Sequence, residues 1–147
     1  MLDGLKKECV AVETEPLTKE EAIQKLIYLA CAAYEISSCS EITSSIMERE
    51  NKLSTGIGLG IAIPHCRIDT VTSPVFAVLL APSGIDYNSV DGFPVKLMFL
   101  IISPEDDIQG HLACLSAVSR AVSDEATRLK FINSSSPELL FENLSNV

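Results

Sequence analysis

Two histidines occur in the 147 residues, His65 and His111. No other side chain changes charge so close to neutral pH. His65 follows the run Ile61-Ala62-Ile63-Pro64. An imidazole has an ordinary pKa of about 6.5, so the neutral ring offers a nitrogen lone pair at pH 7. Attack by that nitrogen on a phosphoryl group gives a phosphoramidate, whose P–N bond is labile enough to pass the group onward. Such a transfer asks the protein for positioning and for positive donors around the equatorial oxygens. Arg49 and Arg67 are the candidate donors, because a guanidinium stays charged and presents a planar fork. The Thr55 hydroxyl and backbone N–H groups around Gly56, Gly58 and Gly60 could add neutral donors. His111 sits on an apolar helical stripe, where a histidine is commonly a core residue satisfied by one hydrogen bond. The sharper alternative is that His111 faces His65 and donates to the bound phosphoryl group. Gly110 beside it would let a ligand or another backbone come close.

Other chemistries fit less well. A dinucleotide loop needs G-x-G-x-x-G between a strand and a helix. Here the glycines are evenly spaced in "GIGLG", and "IAIPH" follows, which looks like a strand ending at its proline. The Gly-Lys-Ser/Thr of a Walker loop is missing. Zinc would need three or four ligands in enforced geometry, and His65, Cys66 and His111 have no further cysteine or acid at ligand spacing. No metal or cofactor is expected. Cys66 directly follows His65, and neighbours in a strand point to opposite faces, so its thiol should face away from a phosphoryl group on His65.

The elements that must position these residues follow from periodicity. Residues 8–14 suit a short strand. Residues 17–35, "LTKEEAIQKLIYLACAAYE", suit a helix with a Thr18–Glu21 capping box and an inward stripe of Ile23, Leu26, Ile27, Ala30 and Tyr34. Residues 37–50 suit a second helix, capped by Ser38 with Glu41, with Ile42 and Ile46 inward and Arg49 near its end. Continuous apolar runs at 74–82 and 95–103 suit strands buried on both faces, which calls for helices above and below the sheet. A helix over 105–123 carries His111, Leu115, Val118 and Val122 on one stripe. Ser123 is the expected cap of a helix over 124–132, and Ser136 with Pro137 opens a last one. The expected fold is an α/β three-layer domain, a mixed sheet flanked by helices on both faces.

Composition narrows the partners. The formal net charge is −9, which opposes nucleic acid and anionic membrane surfaces and permits steering toward a basic protein. Five scattered cysteines with no C-x-x-C imply reduced thiols. The first residues, "MLDGLKKECVAVETE", have no apolar signal core, and no stretch approaches a membrane span. These features imply one cytoplasmic domain over residues 1–147, without direct membrane insertion.

Two segments carry a resemblance. "RENKLSTGIGLGIAIPHCR" resembles the active-site region of enzyme IIA domains of the fructose–mannitol class (type 2), from the bacterial phosphoenolpyruvate-dependent phosphotransferase system. "IDYNSVDGFPVKLMFLIISPEDDIQGHLACLSAVSRAV" resembles that family's second half. The resemblance covers about residues 8–145. It implies that His65 accepts a phosphoryl group from a histidine phosphocarrier protein, and that His111 and Arg49 are the other active-site residues. It also implies a mixed sheet flanked by helices. The onward partner is a cysteine of a IIB domain or a regulated target protein. The unfused domain and the "GIGLGIAIPH" string look most like the nitrogen-regulatory branch. A sugar-transport IIA, or an interaction module that has lost phosphotransfer, are the alternatives. Cys66 departs from the family, where a glycine or other small residue is common after the histidine.

Overall fold

The computed structural model describes residues 1–147. After a short 3-10 turn, strand β1 (Val10–Val12) leads into helices α1 (Lys19–Ala33) and α2 (Cys39–Lys52). Three short strands follow, β2 (Gly56–Gly58), β3 (Ile61–Ala62) and β4 (His65–Ile68), then two long ones, β5 (Val75–Ile85) and β6 (Val95–Pro104). Helices α3 (Ile108–Ser123), α4 (Glu125–Ile132) and α5 (Pro137–Ser145) complete the chain.

All six strands form one mixed sheet in the order β1-β5-β6-β3-β2, with β4 also pairing β6. The long pair β5–β6 is antiparallel, while β1 on β5 and β3 and β4 on β6 are parallel. Alternation along these strands builds two cores. Val75, Ala77, Leu79, Met98, Leu100 and Ile102 face α1 and α2, where Ile23, Leu26, Ile42 and Ile46 close the layer. Phe76, Val78, Leu80, Leu97, Phe99 and Ile101 face α3–α5, where Val118, Val122, Phe131 and Leu140 close it. Helices cover both faces, so the uninterrupted apolar runs at 74–82 and 95–103 are what this three-layer architecture requires.

Helix ends show which local rules held. Thr18 and Glu21 make the full capping box, and Ser136 caps α5 with Pro137 in its first turn. Ser38 occupies the cap position of α2 but makes no capping bond. Its hydroxyl pairs instead with that of Thr70 at 2.8 Å. Asp124 rather than Ser123 caps α4, accepting from the Thr127 N–H at 2.9 Å, because Ser123 is still the last residue of α3 and its hydroxyl donates to the Arg120 carbonyl. Helix α3 starts at Ile108 rather than 105, because Asp107 takes the cap and accepts from Gly110 N–H. The expectation that all five cysteines are free is also corrected. Cys31 in the last turn of α1 is joined to Cys39 in the first turn of α2, while Cys9, Cys66 and Cys114 are free thiols. The turn between the two helices brings together two cysteines whose spacing resembles no disulfide pattern.

The proline also acts differently from expectation. Pro64 does not end a strand at His65; it interrupts one. Ile61 and Ala62 pair with Leu97 and Met98 of β6, and His65 and Cys66 pair with Ile101 and Ile102, so the register is unchanged across the break. Pro64 keeps its carbonyl on the ladder, accepting from Ile101 N–H at 3.1 Å, but has no N–H to give. His65 therefore opens β4, the edge strand beyond the break, and is half-buried there.

Candidate functional site

Beyond Pro64, β4 is an edge strand bonded only to β6. Helix α2 packs on one face of this edge and α3 begins on the other. A cavity of about 410 Å³ lies where they converge, lined by Ser45 and Arg49 of α2, His65, Cys66 and Arg67 of β4, and Ile108, His111, Leu112 and Leu115 of α3. Four of the five residues singled out in the sequence thus meet at one place. The pleat explains the selection. His65 and Arg67 are two apart on β4 and share a face, the one carrying α3 and His111. Cys66 turns the other way into the α1–α2 core, and burial pushes its thiol up to about 11. It is a neutral packing residue beside the site and supplies no thiolate.

The hydrogen bond on His65 fixes its chemistry. Nδ1 lies 2.7 Å from the Ile63 carbonyl oxygen. A carbonyl only accepts, so Nδ1 carries the hydrogen and Nε2 keeps the lone pair. Burial pushes the His65 pKa below its ordinary 6.5, the Ile63 bond opposes that, and the Arg49 guanidinium lowers it further. The ring at pH 7 is neutral, with one basic nitrogen free.

His111 is placed on the first turn of α3 and is 7% exposed. Its ring centroid lies 5.3 Å from that of His65, with the planes inclined at 51°. Its Nδ1 is 2.8 Å from Ser103 Oγ. His111 is therefore a buried histidine satisfied by one hydrogen bond, and its ring also faces His65. Burial first, then the charges of His65 and Arg67, drive its pKa down to about 4. The positive end of the α3 dipole acts in the same direction.

The two arginines are anchored through one nitrogen each. Arg49 Nη1 donates to the Leu53 carbonyl at 2.7 Å, and Arg67 Nη1 to the Glu105 carbonyl at 3.0 Å. A guanidinium has five N–H donors, so both retain donors for an anion in the cavity. Each is thereby held near its histidine without losing its charge.

Thr55 lies elsewhere. It is buried, with its N–H donating to Glu50 Oε1 at 2.8 Å and its hydroxyl to Glu50 Oε2 at 2.6 Å, the Tyr87 hydroxyl lying 3.1 Å away. Glu50 also pairs with Lys19 at 2.8 Å. This network ties the ends of α1 and α2 to the glycine hairpin, and its hydroxyl does not line the cavity. The glycine segment is likewise architectural: Gly56 lies so close to Ser89 that a Cβ would collide with it, and Gly58 and Gly60 take positive φ in the β2–β3 turn. Its N–H groups serve the hairpin and its neighbour loop, as when Leu59 N–H donates to Asp91 at 3.0 Å. Two residues escaped the sequence reading, Glu50 and Ser103. Glu50, a carboxylate next to Arg49, gave no hint of burial, and Ser103 ends an apolar run where it reads as a boundary.

Comparison with known proteins gives the family and the fold. The sequence model of the family described as "Phosphoenolpyruvate-dependent sugar phosphotransferase system, EIIA 2" matches residues 4–147. The chain belongs to this enzyme IIA family. Within it, the chain is 36% identical to the "PTS system fructose-specific EIIA component" of Haloferax volcanii, over 95% of this chain and 91% of that protein. It is 32% identical to the nitrogen regulatory protein of Escherichia coli K12, over 94% and 85%. The crystal structure of nitrogen regulatory protein IIA-Ntr from Neisseria meningitidis superposes with a TM-score of 0.83 at 27% identity, covering 94% of this chain and 93% of that one. The mixed sheet with helices on both faces is thus the enzyme IIA fold. No helix of this chain is long and apolar enough to cross a membrane.

Proposed function

We propose that this enzyme IIA is a phosphocarrier that accepts a phosphoryl group on Nε2 of His65 from a histidine phosphocarrier protein. The observation carrying the proposal is the Ile63 bond to Nδ1, which leaves Nε2 as the basic nitrogen in a cavity ringed by Arg49, Arg67 and His111. In the transfer, the Nε2 lone pair forms the new N–P bond. The donor histidine's N–P bond breaks, and its electron pair returns to the donor ring. His65 keeps its Nδ1 hydrogen, and the Ile63 carbonyl stabilises the positive charge that develops on the imidazole. Arg49, Arg67 and His111 then meet the phosphoryl oxygens, where donors act before the group arrives and need no reorganisation. The mouth of the cavity supports a protein donor: Ile108 and Leu112 expose 54% and 58% of their surface beside it, an apolar rim suited to a docked partner.

We further propose that the phosphorylated and free forms regulate target proteins, as a nitrogen-type IIA. The likeness to nitrogen regulatory proteins from several organisms supports this role. The 36% identity to a fructose-specific component favours a second reading, in which the group passes to a cysteine of a IIB domain. A fold relative, IIA mannitol from Escherichia coli, has been solved in complex with phosphorylated IIB mannitol (TM-score 0.79, 19% identity). The test is incubation with phosphoenolpyruvate, enzyme I and candidate phosphocarriers, with mapping of the labelled residue. Label on His65 is the expected result, and its absence from His65 with every carrier refutes the proposal. Chasing the labelled protein with IIB domains then separates the roles, because only the transport reading predicts rapid loss of label to a IIB cysteine.

A further inference from the structure

We infer that Ser103 is a positioning residue for this transfer: its buried hydroxyl donates to Nδ1 of His111, holds that ring as the Nε2–H tautomer, and so makes His111 a donor to phosphoryl oxygens on His65. The inference rests on the phosphocarrier reading above for its purpose, but not for its geometry.

Ser103 lies near the end of β6, opposite Arg67 in the register, and has no exposed surface. Its Oγ is 2.8 Å from His111 Nδ1, and no other hydrogen bond to that hydroxyl occurs in the structure. The direction of the bond follows from what each group can supply. If the serine donates, its hydrogen is satisfied by the ring lone pair, and only acceptor capacity on Oγ stays unused. If the ring donates instead, the serine hydrogen is left in the core with no acceptor. Orphaned buried donors are the costlier of the two, and native structures rarely keep them. Elsewhere in this chain a single buried side-chain polar atom, Ser89 Oγ, lacks a partner.

The tautomer then matters chemically. Burial, with the Arg67 charge beside it, keeps His111 neutral at pH 7, so it carries a single ring hydrogen. With that hydrogen on Nδ1, the ring would offer the cavity a lone pair, which repels a phosphoryl oxygen. With Ser103 donating, it offers an N–H. His65 has the opposite arrangement, N–H on Nδ1 toward Ile63 and lone pair on Nε2. The facing rings are therefore complementary, one nucleophile and one donor, and each is set by a bond to the protein on its far side.

The experiment is two-bond 1H–15N NMR of 15N-histidine-labelled, unphosphorylated protein near pH 7.5, with Ser103→Ala and Ser103→Thr beside it. The expected wild-type spectrum shows His111 with a pyridine-like Nδ1 and a protonated Nε2. Ser103→Ala is expected to shift His111 toward the other tautomer, and Ser103→Thr to restore it. Phosphoryl acceptance by Ser103→Ala is expected to fall, by less than the roughly 10²–10³-fold loss typical of removing an oxyanion donor outright. A wild-type His111 protonated on Nδ1 overturns the inference, even if the alanine variant does not fold. So does an Ser103→Ala protein with the wild-type tautomer and wild-type transfer rate. If wild-type protein takes no label from any carrier, the function fails, while the spectrum still decides the tautomer.

Discussion

Burying a neutral histidine beside a second histidine and an arginine ties stability to pH, and His111 permits the size of that link to be worked out. Its pKa falls from 6.5 to about 4 on folding. The unfolded chain therefore binds a proton more readily than the folded one between these values. Stability from this group is fully present above pH 6.5 and is lost as pH falls, levelling off below about pH 4. Linkage with these two values gives a loss of about 2 kcal/mol at pH 5 and about 3 kcal/mol at pH 4. The assay is urea unfolding of wild type and His111→Gln across pH 7.5 to 4. Glutamine keeps a group able to accept from Ser103 but cannot titrate. Taking the difference between the two proteins cancels the carboxylates and most of the His65 contribution. The wild type should lose stability relative to the variant by the stated amounts, on the order of 6 °C in Tm at pH 5 for a chain of this size. A difference that stays flat from pH 7.5 to 4 would refute the burial argument, and with it the claim that His111 is held neutral.

Other consequences concern single side chains. His65→Ala should abolish phosphoryl acceptance while circular dichroism shows an intact fold, since the ring is only half-buried and makes one hydrogen bond, to Ile63. Arg49→Gln should slow transfer by roughly 10²–10³-fold. It should also raise the pKa of His65, because the guanidinium lowers it, so the acid limb of the pH–rate profile moves to higher pH. Thr55→Val should cost stability, about 1.5–3 kcal/mol for a hydrogen bond to a buried carboxylate, measured by denaturant unfolding. Its transfer rate per folded molecule should stay within a few-fold of wild type. Gly56→Ala should destabilise by about 1–3 kcal/mol, the usual cost of overpacking, because its Cβ meets Ser89; an unchanged midpoint would show that the loop yields freely.

The layered architecture was legible because it is written in short-range alternation. Val75 to Leu80 are apolar at every position, which only a sheet covered on both sides tolerates, and the Thr18–Glu21 box marks the start of α1 unambiguously. That His65 and Arg67 share a face follows from the pleat only once β4 is known to continue beyond Pro64, which the local sequence does not show. What sequence could not give is long-range. Pro64 reads as a terminator because its missing N–H is local information, whereas the restored register beyond it depends on β6. Thr55 read as a site hydroxyl because it adjoins the glycine turn. Its engagement with Glu50 and Tyr87 depends on how α2 and the 87–92 loop come together. Ser103 and His111 lie eight positions apart, across the turn from β6 into α3, and only the angle of that turn makes them partners.

The most direct measurement is 31P–15N correlation NMR on 15N-histidine-labelled protein after incubation with phosphoenolpyruvate, enzyme I and a phosphocarrier. The structure leads us to expect one phosphorus resonance coupled to Nε2 of His65, absent from His65→Ala. Coupling to Nδ1 of His65, or to His111, would contradict the assignment of Nε2 of His65 as the phosphoryl-bearing nitrogen.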